Sequence, residues 1–323
     1  MRVGLLGTGW MGTVHARQYA KMPDVELHVF DRRPERVAAF CSEWNATPAS
    51  DCDALLAAAD VVDICYPTDR HADYAIRAIA AGKPVIVEKP LALDVADSMK
   101  IVEAADRAGV PLGCAMVVRC FPEYAAAHQL VLSGLLGRPA AARTRRGGKA
   151  PLTGADNWFM DHRRSGGVLV DLAIHDFDWL RWTFGEVAQL YSRSVRAEAG
   201  EGPDYALTTL TFDSGLVAHC ESTWMDPSGF RTAFEVCGSE GMIEYDSRTT
   251  PSLRTHSASG SVAESPVAAT DDPYYLELRA FLDAVSAGTP PPISGLEGAK
   301  AVALGVAALE SARTGQPVKP ARL

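Results

Sequence analysis

Short apolar runs alternate with stretches of helical spacing over the first third of the chain, whereas later runs follow one another with few helices between them. Val3 to Leu6, Val25 to Phe30, Val61 to Cys65, Pro84 to Val87 and Leu112 to Met116 read as strands. Between them Met11 to Met22, Pro34 to Trp44, His71 to Ala81 and Val95 to Ala108 repeat their apolar residues at helical spacing. Pro34 suits a first helical position, and Gly82 and Gly109 suit C-terminal stops. Strands alternating with helices predict an α/β domain with a doubly wound parallel sheet over residues 1–118. After Arg119 the pattern predicts helices at Glu123 to Ser133 and Val168 to Phe184. Strands follow at Val187 to Val195, Tyr205 to Phe212, Leu216 to Thr223, Thr232 to Cys237 and Met242 to Tyr245. Successive strands without helices imply a largely antiparallel open sheet covered by helices on one face, an α+β domain over residues 119–323. Helices at Tyr274 to Ala287 and Leu296 to Thr314 close the chain. Ser252 to Ala269, rich in Ser, Ala and Thr, fits edge strands and a loop equally.

Composition narrows the class. A chain of 323 residues has room for two cores, and 47% hydrophobic with 22% charged residues is ordinary for a soluble globular protein. The net charge of −9 opposes attraction to phosphate backbones, so nucleic acid is not an expected partner. No apolar run reaches the roughly 20 residues that span a bilayer. The first residues reach glycine before a secretory apolar stretch develops, so a cytoplasmic protein with no membrane partner is expected. Seven scattered cysteines without a CxxC pair argue against a disulfide framework and a thiolate zinc site.

The candidate chemistry begins at Gly7-Thr8-Gly9-Trp10-Met11-Gly12, which follows a strand and opens a helix. In that context the first glycine permits a tight turn and the second lets backbone N–H groups approach phosphates. The third allows close helix packing, and the helix N-terminus adds partial positive charge. Asp31 ends the next strand, 19 residues after Gly12, where a carboxylate can accept hydrogen bonds from a ribose 2′-hydroxyl and so favours NAD. Arg32 and Arg33 offer the opposite chemistry, a clamp for a 2′-phosphate, which leaves NADP open. Tyr66, Pro67, Thr68 and His71 follow a strand at its carboxyl edge and are expected beside the cofactor, Thr68 and His71 at its nicotinamide end; a plain structural place for His71 fits as well.

Asp171 and His175 stand four residues apart, which on a helix puts acid and imidazole on one face, where the acid can orient the base. Lys89, within Glu88-Lys89-Pro90, follows a strand predicted to be buried and can donate to a substrate oxygen or relay its proton. A structural ion pair and a surface strand-end charge are the plainer alternatives for these groups. Asp171, His175 and Asp178 lack the HExxH spacing, so no metal is expected. Arg119, Asn157, Trp158 and His162 are candidates for a substrate wall; the Trp158 indole can pack on the C–H face of a sugar ring or simply fill core. The basic run Arg143, Arg145, Arg146, Lys149 reads most simply as a solvated strand end.

These motifs, with Arg119-Cys-Phe-Pro122, the paired glycines before Asp171, and the tail from Tyr275 to Ser294-Gly295, resemble the glucose-fructose oxidoreductase and inositol dehydrogenase (Gfo/Idh/MocA) family over nearly the whole chain. The resemblance implies an N-terminal Rossmann domain for residues 1–118 and a substrate-binding and oligomerisation domain for residues 119–323. It also implies NAD(P)-dependent transfer of a hydride from a secondary hydroxyl of a sugar or cyclic polyol. By the same resemblance Lys89, Asp171 and His175 line the substrate, Glu88 belongs to the cofactor side, and the open sheet joins a homodimer or homotetramer. An NAD-dependent glycosidase and a non-catalytic cofactor-binding protein are the competing functions.

Overall fold

The computed structural model describes residues 1–150, 157–196, 204–249, 252–265 and 272–323. The chain divides into two compact units, Met1–Val117 with Asp271–Val302, and Val118–Thr270 with Ala303–Leu323. The boundary near residue 118 expected from the change of pattern therefore governs only the main crossing. The tail returns to the first unit because its apolar face supplies that core.

In the first unit, β1 (Arg2–Leu6), α1 (Trp10–Tyr19), β2 (Glu26–Phe30), α2 (Pro34–Trp44), β3 (Thr47–Pro48), α3 (Cys52–Ala58), β4 (Val61–Ile64), α4 (His71–Ala80), β5 (Val85–Glu88), α5 (Val95–Ala108) and β6 (Leu112–Ala115) follow in order. The strands form one parallel sheet ordered β3-β2-β1-β4-β5-β6. Its order reverses beside β1, where ligands bind in such sheets. Val3, Leu5, Val61 and Ile86 are buried with Leu278, Phe281 and Leu282. Those last three belong to α9 (Pro273–Ala287), and a Cβ on Gly113 in β6 would come within 2.8 Å of the Phe281 ring. Pattern reading missed β3 and α3, both too short to show a period. Helix α3 starts where the Asp51 carboxylate accepts from Ala54 N at 2.8 Å.

The second unit holds α6 (Pro122–Leu132), β7 (Pro139–Gly147), α7 (His162–Ser165), α8 (Ile174–Phe184), β8 (Val187–Arg196), β9 (Asp204–Phe212), β10 (Val217–Thr223), β11 (Arg231–Gly238), β12 (Gly241–Asp246), β13 (Leu253–Ser257) and β14 (Val262–Ser265). The end of α10 (Gly295–Thr314) also belongs to it. The sheet order is β14-β13-β12-β11-β7-β10-β9-β8. Only β7 and β10 pair in parallel; the other neighbours are antiparallel. The expectation for Ser252 to Ala269 resolves to edge strands through residue 265; the remainder lies outside the described residues.

The basic run is the largest departure. Strand β7, which carries it, lies inside the sheet between β10 and β11. Thr144 and Arg146 face the core while Arg143 and Arg145 face outward. Trp179, Phe177, Tyr124, Phe212 and Phe234 fill that core. Tyr124 meets Trp179 edge-on at 5.3 Å and its carbonyl accepts from Trp179 Nε1 at 3.0 Å. The outer face is not plainly apolar. Arg143–Glu235, Arg145–Asp226 and Arg231–Asp246 ion pairs cross it, and exposed apolar side chains such as Val195 and Leu207 collect toward β8 and β9.

Candidate functional site

At the end of β1 the backbone turns at Gly7 with φ +107°, where a side chain would meet Cys65 O at 2.9 Å. A Cβ on Gly12 would lie 2.0 Å from Gly7 O, so only glycine lets α1 approach the turn. At Gly9 nothing lies within 4 Å of that position. No side chain caps the first turn of α1, and the Trp10 indole is 62% exposed beside the half-buried Met11. Uncapped N–H groups, open space at the middle glycine and the helix dipole fit a dinucleotide pyrophosphate.

Asp31 completes the cradle. Its Oδ2 accepts from Thr8 N and Thr8 Oγ1, both at 2.9 Å, and its Oδ1 accepts from Arg33 N at 3.0 Å and Arg33 Nε at 3.2 Å. Burial by itself would push this carboxyl up; the Arg33 side chain and the Thr8 donors outweigh it and hold the group below its ordinary range. An ionised Asp31 suits ribose hydroxyls and repels a 2′-phosphate. Arg33 is engaged with that acid, while Arg32 is exposed.

The loop after β4 buries Tyr66 and Thr68 and leaves Pro67 half-buried. Thr68 Oγ1 is buried without a hydrogen-bond partner among the described residues, an orphaned polar atom at the carboxyl edge of the sheet that fits a cofactor amide or hydroxyl. His71 occupies the plain structural place that its position also allowed: its Nδ1 lies 2.7 Å from Pro90 O and its Nε2 2.8 Å from Tyr66 O, so both ring nitrogens face backbone carbonyls. Burial lowers its affinity for a proton although both carbonyls oppose that.

Glu88 is buried at the end of β5 and its Oε2 accepts from Lys89 N at 3.0 Å; the Lys89–Pro90 peptide is cis, and Lys89 is half-buried. Beneath this turn lies a group that pattern reading overlooked. His15, Asp63, Cys65 and Glu88 are all buried around one another. Asp63 was the available signal, because a carboxylate inside Val61-Val62-Asp63-Ile64, a strand buried on both faces, requires an interior partner.

In the second unit the predicted long helix divides. Gly166 and Gly167 both have positive φ, +78° and +66°, and Val168–Leu172 then form a π-turn in which Ala173 N donates to Val168 O at 2.8 Å. Such wide turns often mark functional sites. Asp204, a further residue missed from sequence, fixes the entry: its Oδ2 accepts from Val168 N at 3.0 Å and lies 3.7 Å from His162 Nε2. The π-turn carries Asp171, which is buried, and α8 begins beside it with His175, which is half-buried. The two therefore sit in adjoining elements rather than on one regular helix.

The neighbours of His175 on α8 are tied inward. Asp176 accepts from Arg146 Nε at 2.9 Å, and Arg146 Nη2 also donates to Tyr124 OH at 3.0 Å. Asp178 takes both prongs of Arg119, Nε at 2.7 Å and Nη2 at 2.6 Å. One expectation changes here: Arg146 is a core ion-pair partner and not a solvated strand end. Arg119, a wall candidate, is buried against Asp178. Of the remaining wall candidates, Trp158 stacks on Phe159 with centroids 4.0 Å apart, Asn157 has a buried Oδ1 without a hydrogen-bond partner among the described residues, and His162 is half-buried.

A parallel six-stranded sheet with a phosphate-type turn, joined to a second unit bearing an acid and imidazole, defines a dinucleotide-dependent oxidoreductase. Residues 1–116 match the model described as oxidoreductase family, NAD-binding Rossmann fold, and residues 124–244 match the GFO/IDH/MocA C-terminal domain. The chain belongs to the GFO/IDH/MocA family of oxidoreductases. It is 30% identical to myo-inositol 2-dehydrogenase of Thermotoga maritima, covering 99% of this chain and 98% of that one. It is 30% identical to scyllo-inositol 2-dehydrogenase (NAD(+)) of Bacillus subtilis strain 168, covering 99% and 96%. A solved probable dehydrogenase from Thermotoga maritima superposes with a TM-score of 0.85 at 29% identity, covering 99% of this chain and 98% of that one. Among the described residues no helix is long and apolar enough to cross a membrane.

Proposed function

We propose that this protein oxidises a secondary hydroxyl of a cyclic polyol or sugar, an inositol-like ring first among them, with NAD as the partner in hydride transfer. The observation that carries the reading is the cradle of the first unit, where the open Gly9 turn, the ionised Asp31 and the Lys89 turn all stand at the carboxyl edge of one parallel sheet. Full-length similarity to two inositol dehydrogenases supports the substrate class. Gly7 through Gly12 hold the pyrophosphate, Asp31 the ribose, and Tyr66, Pro67, Thr68 and Glu88 border the nicotinamide end. NAD+ supplies the hydride acceptor when bound.

His175 removes the hydroxyl proton, because an imidazole has an unperturbed pKa of about 6.5, close to working pH. Asp171 orients that ring and stabilises its protonated form. Lys89 donates to the same oxygen and stabilises its alkoxide character, or passes the proton on. Asn157, Trp158 and His162 contribute to the ring-binding wall. The test is NADH formation from NAD+ with myo-inositol, scyllo-inositol and a set of pyranoses. Lys89→Ala and His175→Ala are each expected to lower kcat by about 10²- to 10⁴-fold. No NADH from any polyol, or wild-type turnover in both variants, overturns the assignment.

We assign the open sheet of the second unit to self-association, as a homodimer or homotetramer. The exposed Tyr191, Val195 and Leu207 support this, and a monomeric mass in light scattering would refute it. The scattered spacing of the seven cysteines, with no CxxC pair, supports a reducing compartment, the cytoplasm.

A further inference from the structure

Under the carboxyl edge of the parallel sheet, one turn into α1, His15 is completely buried. Its Nδ1 lies 2.8 Å from Asp63 Oδ2, and its Nε2 forms an ion pair with Glu88 Oε1 at 3.0 Å that is not aligned as a hydrogen bond. The far oxygen of Glu88 accepts the Lys89 backbone N–H. A continuous path of contacts thus runs from β4 through an imidazole on α1 to the residue that bears the candidate catalytic amine.

We propose that His15 is a positioning residue for Lys89: its ring joins Asp63 to Glu88, and Glu88 holds the Lys89 backbone, so that buried charge sets the turn carrying the amine. This rests on Lys89 acting in the reaction as assigned above. The opposite side of the same turn is held by His71 through Pro90 O, which leaves the segment fixed at both ends.

The charge balance requires a protonated ring. Asp63 faces His15 from β4 and Cys65 from just beyond that strand, Glu88 from β5, and Tyr274 from α9 with its ring centroid 6.4 Å away, while Tyr19 follows one turn later on the same helix. Glu277 on α9 adds negative charge near Tyr19. Tyr19 OH donates to Asp63 Oδ2 at 2.8 Å, and burial keeps both the Tyr19 phenol and the Cys65 thiol neutral. Two carboxylates therefore flank one imidazole with no other cation among these groups. Burial alone would strip the proton from His15, but the adjacent Asp63 carboxylate and the hydrogen bond to it hold the ring protonated well above its ordinary range. A metal in place of the proton is disfavoured, because Nδ1 and Oδ2 at 2.8 Å are closer than the roughly 3.4 Å between two ligands of one tetrahedral ion.

Three measurements on the full-length protein test this. In the wild type, ¹⁵N shifts of His15 should report two protonated ring nitrogens at pH 7, above the unperturbed imidazole value of about 6.5; a neutral tautomer at pH 7 overturns the proposal whatever the substrate proves to be. In His15→Gln, the Lys89 amide should lose at least tenfold in hydrogen-exchange protection while NAD+ affinity, read by fluorescence, changes less than about threefold. Turnover of the polyols named above should fall in kcat by about 10- to 100-fold with little change in KM. The double variant His15→Gln with Glu88→Gln, in which neutral amides replace the charges, should be no slower than the slower single variant. Losses that multiply, or Lys89 protection equal to wild type, would make His15 a core filler only. If Lys89→Ala keeps full turnover, the catalytic assignment fails; if Lys89→Ala abolishes turnover while His15→Gln keeps the wild-type kcat, the positioning role alone fails.

Discussion

Replacing Arg119 with leucine separates two uses of one guanidinium. Arg119 and Asp178 are both buried and joined by two short charge-assisted bonds, 2.7 and 2.6 Å. Removing the cation leaves the Asp178 charge in the interior without its guanidinium, and breaking such a pair from one side costs about 3–5 kcal/mol. The guanidinium also lies 5.2 Å from the Trp182 ring centroid, a contact worth about 1–2 kcal/mol when desolvated. Against a total stability of about 5–15 kcal/mol, the loss is a large fraction and should be plain in urea unfolding followed by fluorescence and circular dichroism. Removing both charges in Arg119→Leu with Asp178→Leu should restore most of it, because no charge then remains buried. A loss below about 1 kcal/mol in the single variant, accompanied by a raised KM for the polyol, would return Arg119 to the pocket wall and refute the structural role.

The glycine turn gives a contrasting pair. Gly12→Ala places a Cβ 2.0 Å from Gly7 O and should abolish soluble folded protein or sharply lower its unfolding midpoint. Gly9→Ala meets nothing within 4 Å and should keep wild-type stability while weakening NAD+ binding at least tenfold, measured by calorimetry. Asp31 has a lowered folded pKa, so its contribution is present above its unfolded value, about 3.9, and is lost as pH falls through the lower folded one. Asp31→Asn should therefore flatten the acid limb of the stability curve below about pH 4 and narrow the preference for NAD+ over NADP+, read as the ratio of kcat/KM values.

Much of the cradle was legible before any coordinates. A short strand rich in valine and leucine, a turn with three spaced glycines, and an acid at the end of the next strand are all local signals, and each sits where the pattern placed it. Helix α9 was legible as a helix but not as part of the first unit, since a periodic apolar stripe declares that it will be buried without saying against what. The split between Val168–Leu172 and α8 escaped notice for a related reason. A π-turn depends on one shifted hydrogen bond, and here that shift follows two glycines and a carboxylate that arrives from β9.

Side-chain charge marks the boundary between the two kinds of information. Residue type and spacing settle the strand and helix periods and the glycine turn because each depends on neighbours within a few positions. Partners of buried charges do not obey that limit. Arg119 meets Asp178 across 59 positions, Arg146 meets Asp176 across 30, and His15 meets Asp63 across 48. Which arginine becomes core and which histidine becomes a buried cation was decided when β7 took its place between β10 and β11 and when α1 packed against β4 and β5. Sheet order brings such groups together, and the cost of leaving a charge alone away from water keeps them paired.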